Sequence, residues 1–219
     1  MHPSKVMFKF MHPFRLLIAG PSQSGKTFFT KRLISRCQRM IFPRPAQIVW
    51  SFGESNPIQI AQIRKVSPIP IHFVEGLPDL EEIPSSERTL LIIDDLMHDA
   101  GKSQKISKMF TQMSHHRNMS IILILQNIFH QGRSMRDVSL NATYIVLFKN
   151  PRDNEQIRYF ARQIYPNNVK FLIDAFKKAT KRPHGYALFD FGQNTPEKRR
   201  VLTNIFSPPD VLTGYIPAK

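Results

Sequence analysis

Short, solidly apolar runs alternate along this chain with stretches whose apolar residues recur every three to four positions. The runs at residues 15–20 (RLLIAG), 47–51 (QIVWS), 71–74 (IHFV), 89–93 (TLLII), 120–126 (SIILILQ) and 143–149 (TYIVLFK) are strand-sized. Strands apolar on both faces are covered on both sides, as in a parallel sheet held between helices. The helical spacing predicts helices over 26–39, 58–64, 104–114, 154–164 and 169–179. Residues 186–191 and 201–205 read as a closing pair of strands, joined by the polar GQNTPEK and antiparallel to the rest. The expected fold is a three-layer α/β domain over residues 14–206, with a mostly parallel central sheet and a C-terminal antiparallel strand pair. Residues 1–13 are set apart as an N-terminal arm. Residues 207–219 carry three prolines and are expected to form an extended tail, packed on a neighbouring subunit or loosely ordered.

Two of the strands end in chemistry. After the first comes Gly20-Pro21-Ser22-Gln23-Ser24-Gly25-Lys26-Thr27, which fits G-x-x-x-x-G-K-[ST] at every fixed position, between a strand and a helix. Glycines let successive N–H groups converge on phosphate oxygens, and the following helix turns its positive end to the same anion. The pattern assigns Lys26 to the β- and γ-phosphates and the Thr27 hydroxyl to Mg²⁺, so a P-loop NTPase of the RecA/ASCE kind is expected, with a nucleoside triphosphate and Mg²⁺ as its ligands. The run at 90–95 (LLIIDD) carries paired carboxylates to the edge of the sheet where ligands bind. Asp94 is expected to hold the metal, and Asp95 to orient or deprotonate the attacking water. Gln126 ends the fifth strand, where an amide can contact the γ-phosphate or the water. Arg117, just before that strand in SHHRNMS, is a candidate finger into a neighbouring subunit's site, with Arg133 and Arg136 as rivals.

Composition adds a partner. The formal net charge is +15 over 219 residues, a surplus that attracts polyanions, nucleic acid above all. Basic residues near Lys102 to Lys108 and Arg133 to Arg136 are candidates for the contact. The lone Cys37 excludes a disulfide within the chain, fits a reducing compartment, and reads as a buried thiol. No apolar run is long enough to span a bilayer, and residues 1–14 hold no long apolar core of a secretory signal, so no membrane association is expected. His115 and His116 are adjacent and do not face one metal site.

The order GPSQSGKT, LLIIDD, SHHRNMS, IILILQN resembles the HerA/FtsK superfamily of DNA-pumping ATPases. The stretch 115–153, with ARQIYP, RPHGYALFDF and TNIF after it, is similar to the genome-packaging ATPases of adintoviruses and Polinton-type elements, relatives of the poxvirus packaging ATPase. That resemblance covers roughly residues 14–206. It implies a pentameric or hexameric ring that threads double-stranded DNA into a preformed capsid using ATP, with capsid or portal-vertex proteins as partners and the intracellular site of capsid assembly as its location. It matches Lys26 and Thr27 to the phosphate loop, Asp94 to the metal-binding acid, Gln126 to the polar sensor and Arg117 to the arginine before the sensor strand. Many members carry glutamate where this chain has Asp95, one methylene shorter, which leaves the catalytic base open. Two other readings remain: a nucleotide-binding assembly switch with little turnover, and a small-molecule P-loop kinase.

Overall fold

The computed structural model describes residues 8–96, 100–113, 117–128, 133–153, 155–207 and 212–217. The strands are β1 (Phe10–Met11), β2 (Arg15–Ala19), β3 (Ile41–Phe42), β4 (Gln47–Phe52), β5 (Ile71–Glu75), β6 (Thr89–Asp94), β7 (Met119–Leu125), β8 (Tyr144–Phe148), β9 (Tyr186–Asp190), β10 (Val201–Thr203) and β11 (Thr213–Tyr215). The helices are α1 (Lys26–Ile34), α2 (Cys37–Met40), α3 (Pro57–Val66), α4 (Ala100–Lys108), α5 (Arg133–Asn141), α6 (Glu155–Ile164) and α7 (Val169–Ala179).

Among the described residues, nine strands form one sheet in the order β11-β10-β9-β8-β2-β7-β6-β4-β5. The block from β8 to β5 is parallel throughout. From β8 outward, β9, β10 and β11 are antiparallel. The phosphate-loop strand β2 is therefore central, flanked by β7 and β8.

Strand periodicity sorts the side chains into two cores. Leu17, Val49, Leu91, Ile93, Ile121, Leu123 and Ile145 point to the face covered by α4 to α7, where Ile106, Phe110, Val138, Phe160 and Leu172 pack. Leu16, Ile18, Ile48, Trp50, Leu90, Ile92, Ile122 and Val146 point to the other, against Phe29, Leu33, Cys37 and Ile63 of α1 to α3. From β8 to β4 every strand has buried apolar positions of both parities, so both faces are dry there, while the edge strand β5 is partly exposed. This is the expected three-layer α/β architecture.

Several elements differ from the sequence expectation. The helix expected over 26–39 is two: the chain leaves helical geometry at Arg36 (φ −121°, ψ 10°) and restarts so that Cys37 and Met40 are buried. Burial pushes the Cys37 thiol up to about 11. Part of the expected arm packs: Phe8 and Phe10 are buried in a cluster with Phe14 and Tyr144, and β1 pairs in parallel with β3. The expected strand pair at the C-terminal side is a three-strand extension, because residues 213–215 of the tail add an edge strand to β10. The polar stretch 133–141 forms α5, which the apolar spacing did not reveal. Among the described residues, no helix is long and apolar enough to cross a membrane.

Candidate active site

The carboxyl ends of four adjacent parallel strands meet at one edge of the sheet. Register fixes their levels: Ala19 of β2 sits opposite Leu125 of β7, Asp94 of β6 opposite Ile124, and Phe52 of β4 opposite Asp94. Backbone bonds carry the pairing into the loops, from Gly20 N–H to the Leu125 carbonyl (3.3 Å) and from Asp95 N–H to the Ile124 carbonyl (3.3 Å). In open parallel sheets this edge is where ligands bind.

The loop after β2 curls back on itself. Gln23 (φ 63°) and Gly25 (φ 111°) both take left-handed conformations, and Ser24 N–H closes the turn on the Pro21 carbonyl at 3.2 Å. Gly25 then serves as the N-cap of α1. A side chain there would be strained by its φ and would meet His184 and Phe148 at 3.1 and 3.2 Å. The Lys26 ammonium is folded into the loop, donating to the carbonyls of Gly20 (2.5 Å) and Pro21 (3.0 Å). Desolvation lowers its pKa, while Asp95 and Asp94 act to raise it. Ser24 Oγ is buried without a hydrogen-bond partner, and Thr27 Oγ1 has none among the described residues. Such a loop is a built anion cradle with spare donors.

Facing it across a cleft of about 720 Å³ stand Asp94, Asp95 and Gln126, with Lys26 and Thr27 on the near wall. Asp95 takes a left-handed backbone conformation (φ 54°), and Gln126 Nε2 donates to its Oδ2 at 2.9 Å. Burial, with Asp95 beside it, pushes the Asp94 carboxyl up to about 6, although Lys26 and a hydrogen bond from Gln59 oppose this. The Asp94 carboxyl and the Thr27 hydroxyl, which line the same cleft, are oxygen donors of the kind a divalent cation takes, so the residues present fit Mg²⁺.

Five of the expected catalytic and metal residues are thus brought together: Lys26, Thr27, Asp94, Asp95 and Gln126. Arg117 is not among them. It lies just before β7, at the opposite edge of the sheet, where its guanidinium donates to the Leu80 carbonyl. Arg136 is exposed on α5, as are Lys105 and Lys108 on α4, and the side chains of Arg133 and Lys102 lie outside the described residues. Three residues of the site went unread in the sequence. Glu54 lines the cleft from the β4–α3 connection and Gln59 from the first turn of α3. His184, itself at φ 57°, brings Nδ1 to 3.2 Å from the Ser24 carbonyl and so braces the phosphate loop from outside. The Asn56-Pro57 pair was a legible signal, since Asn56 caps α3 by accepting from Gln59 N–H at 3.0 Å, with Pro57 in the first turn. Nothing local marks Glu54 or His184.

The architecture has solved counterparts. The genome packaging NTPase B204 from Sulfolobus turreted icosahedral virus 2, in complex with ATPγS, matches with a TM-score of 0.54 at 14% identity, over 88% of this chain and 97% of that one. The same protein in complex with AMPPCP gives 0.53 at 13%, over 83% and 94%. The fold is that of a P-loop NTPase. No protein-family model matches the chain, and no curated protein matches it by sequence. In this P-loop NTPase fold the phosphate loop, the paired aspartates and the glutamine occupy the edge that the strand order creates.

The raised Asp94 has a consequence for stability. A carboxyl whose folded-state pKa lies above its unfolded value destabilises the fold when ionised. The penalty is absent below the ordinary value of 3.8, grows as pH rises from there to about 6, and is complete above it. Asp94→Asn is therefore expected to stabilise the nucleotide-free protein by about 1–2 kcal/mol at neutral pH and by less near pH 4.5. Thermal melts of both proteins at the two pH values check this. Equal melting temperatures at neutral pH would contradict it.

Proposed function

We propose that this chain is an ATP-hydrolysing motor that moves double-stranded DNA during viral genome packaging. The observation that carries the hydrolytic part is the convergence of Lys26, Thr27, Asp94, Asp95 and Gln126 on one cleft at the end of the parallel block. On binding a triphosphate, Lys26 exchanges the Gly20 and Pro21 carbonyls for phosphate oxygens, and the N–H groups of the loop take up the rest of the charge. Thr27 and Asp94 would hold Mg²⁺, which would supply neutralisation of the triphosphate's charge. On the other side of the phosphate loop a hollow of about 520 Å³, lined by Gly25, Phe28, Arg32, Phe148 and His184, suits a ribose and base. Phe28 is 61% exposed there, with the Arg32 guanidinium 5.7 Å from its ring centroid.

Two further observations support the packaging role. The solved structures that share the fold are of a genome packaging NTPase bound to ATP analogues. The surplus of +15 suits sequence-independent grip on a phosphate backbone. The motor works as a ring of five or six copies. In such a ring Arg117, remote from its own phosphate loop, serves the neighbour's cleft, or exposed Arg136 does. Capsid or portal-vertex proteins at the site of capsid assembly are its other partners.

The test is steady-state ATP hydrolysis by the purified chain, with and without long double-stranded DNA. A several-fold rise on adding DNA supports the motor. Turnover indifferent to DNA at concentrations where rings form contradicts it and favours a nucleotide-driven assembly switch.

A further inference from the structure

The cleft holds a third carboxylate on its wall that the sequence motifs do not mark. Glu54 follows β4, the strand next to β6, and β4 ends level with the aspartates, since Phe52 pairs with Asp94. Gly53 brings the connection against the segment after β6: a Cβ on it would lie 3.3 Å from Leu96 Cδ2 and 3.9 Å from the Asp95 carbonyl oxygen. Two residues beyond Glu54, Asn56 anchors the chain by capping α3. Glu54 is thus held between two fixed points and lines the same cleft as Lys26, Thr27, Asp94 and Asp95.

Its carboxylate is also uncommitted. Among the described residues Glu54 makes no hydrogen bond and no ion pair, and it caps nothing. Asp95 is in the opposite condition. One of its oxygens already accepts from Gln126 at 2.9 Å, its backbone is in a left-handed conformation, and its side chain is the shorter by one methylene. A general base needs a free lone pair aimed at the water it deprotonates.

We propose that Glu54 is the general base of hydrolysis, and that the Asp95–Gln126 pair orients the attacking water. This rests on the hydrolytic reading of the cleft. In the step, the water oxygen forms a bond to the γ-phosphorus as the bond from that phosphorus to the β–γ bridging oxygen breaks. The bridging oxygen leaves with its electron pair on ADP. The water proton passes to a Glu54 carboxylate oxygen and later to solvent, so that ADP and inorganic phosphate are the products.

Glu54→Gln and Asp95→Asn in the full chain test this, assayed with ATP, Mg²⁺ and long double-stranded DNA. Glu54 is exposed on a connection, so the substitution is expected to leave the melting temperature unchanged. The expected result for Glu54→Gln is a fall in kcat of about 100-fold or more. ATP affinity stays within roughly threefold, and the nucleotide recovered from the protein after incubation is ATP, where the wild type yields ADP. Asp95→Asn is expected to lose less, roughly tenfold. A loss below about tenfold for Glu54→Gln overturns the assignment, as does a loss explained by weaker ATP binding; in either case a larger loss in Asp95→Asn returns the base to Asp95. A wild-type chain that binds ATP without hydrolysing it removes the hydrolytic reading itself, which the variants alone do not touch.

Discussion

Lys26→Ala is expected to lower ATP turnover by roughly 100- to 1,000-fold and to weaken nucleotide binding at the same time. The ammonium sits inside the loop on the Gly20 and Pro21 carbonyls, so it is delivered to the phosphates with little motion of the backbone. It is also the cation that opposes the mutual repulsion of Asp94 and Asp95. Its removal leaves the transferring phosphoryl group without its fixed positive charge and takes the ammonium away from Asp94 and Asp95. Lys26→Arg is not expected to rescue, because a planar fork does not fit a cradle shaped for a point charge. Hydrolysis rates and titrations with a fluorescent ATP analogue measure both effects. Retention of more than about a tenth of wild-type turnover would contradict the placement of the phosphates.

The second large effect is on the fold. Trp50 is 1% exposed in the middle of β4, with Phe73 of β5 and Ile92 of β6 as its register partners, and its ring belongs to the core beneath α1 and α3. Trp50→Ala is expected to cost about 3–5 kcal/mol, the lost transfer energy of the ring plus the cavity it leaves. At this chain length that is a fall of roughly 6–20 °C in melting temperature. Trp50 also lines the cleft proposed to take the nucleotide, so saturating ATP is expected to recover only part of the loss. A melting temperature within about 2 °C of wild type would mean that the sheet packs otherwise.

How far these features could be read beforehand depended on how local their causes are. The parallel block was legible because LLII at 90–93 and IILIL at 121–125 are apolar at both parities. The phosphate loop was legible because its glycines, lysine and threonine must stand at fixed spacing to make the cradle. Asp94, Asp95 and Gln126 followed, since they end such strands. The rest needed the strand order. Glu54 belongs to the cleft only because β4 lies beside β6, a neighbour 42 residues away in the register from Phe52 to Asp94. His184 reaches the loop only because the antiparallel β9 begins where β8 ends. The parallel contact of β1 with β3 and the edge strand of residues 213–215 are too short to leave a period of their own. The break at Arg36 is set by the burial of Cys37 and Met40, which the helical spacing of 26–39 accommodated equally well unbroken.

The most direct measurement of motor function is displacement of a third strand from linear duplex DNA. A triplex-forming oligonucleotide is placed far from the duplex end, and its release is followed with the wild type, with Lys26→Ala and with a non-hydrolysable ATP analogue. Release by the wild type with ATP, after a lag that lengthens with distance from the end, and by neither control, is the expected result. ATP consumed without release of the strand would contradict translocation and leave a P-loop NTPase whose cycle drives assembly instead.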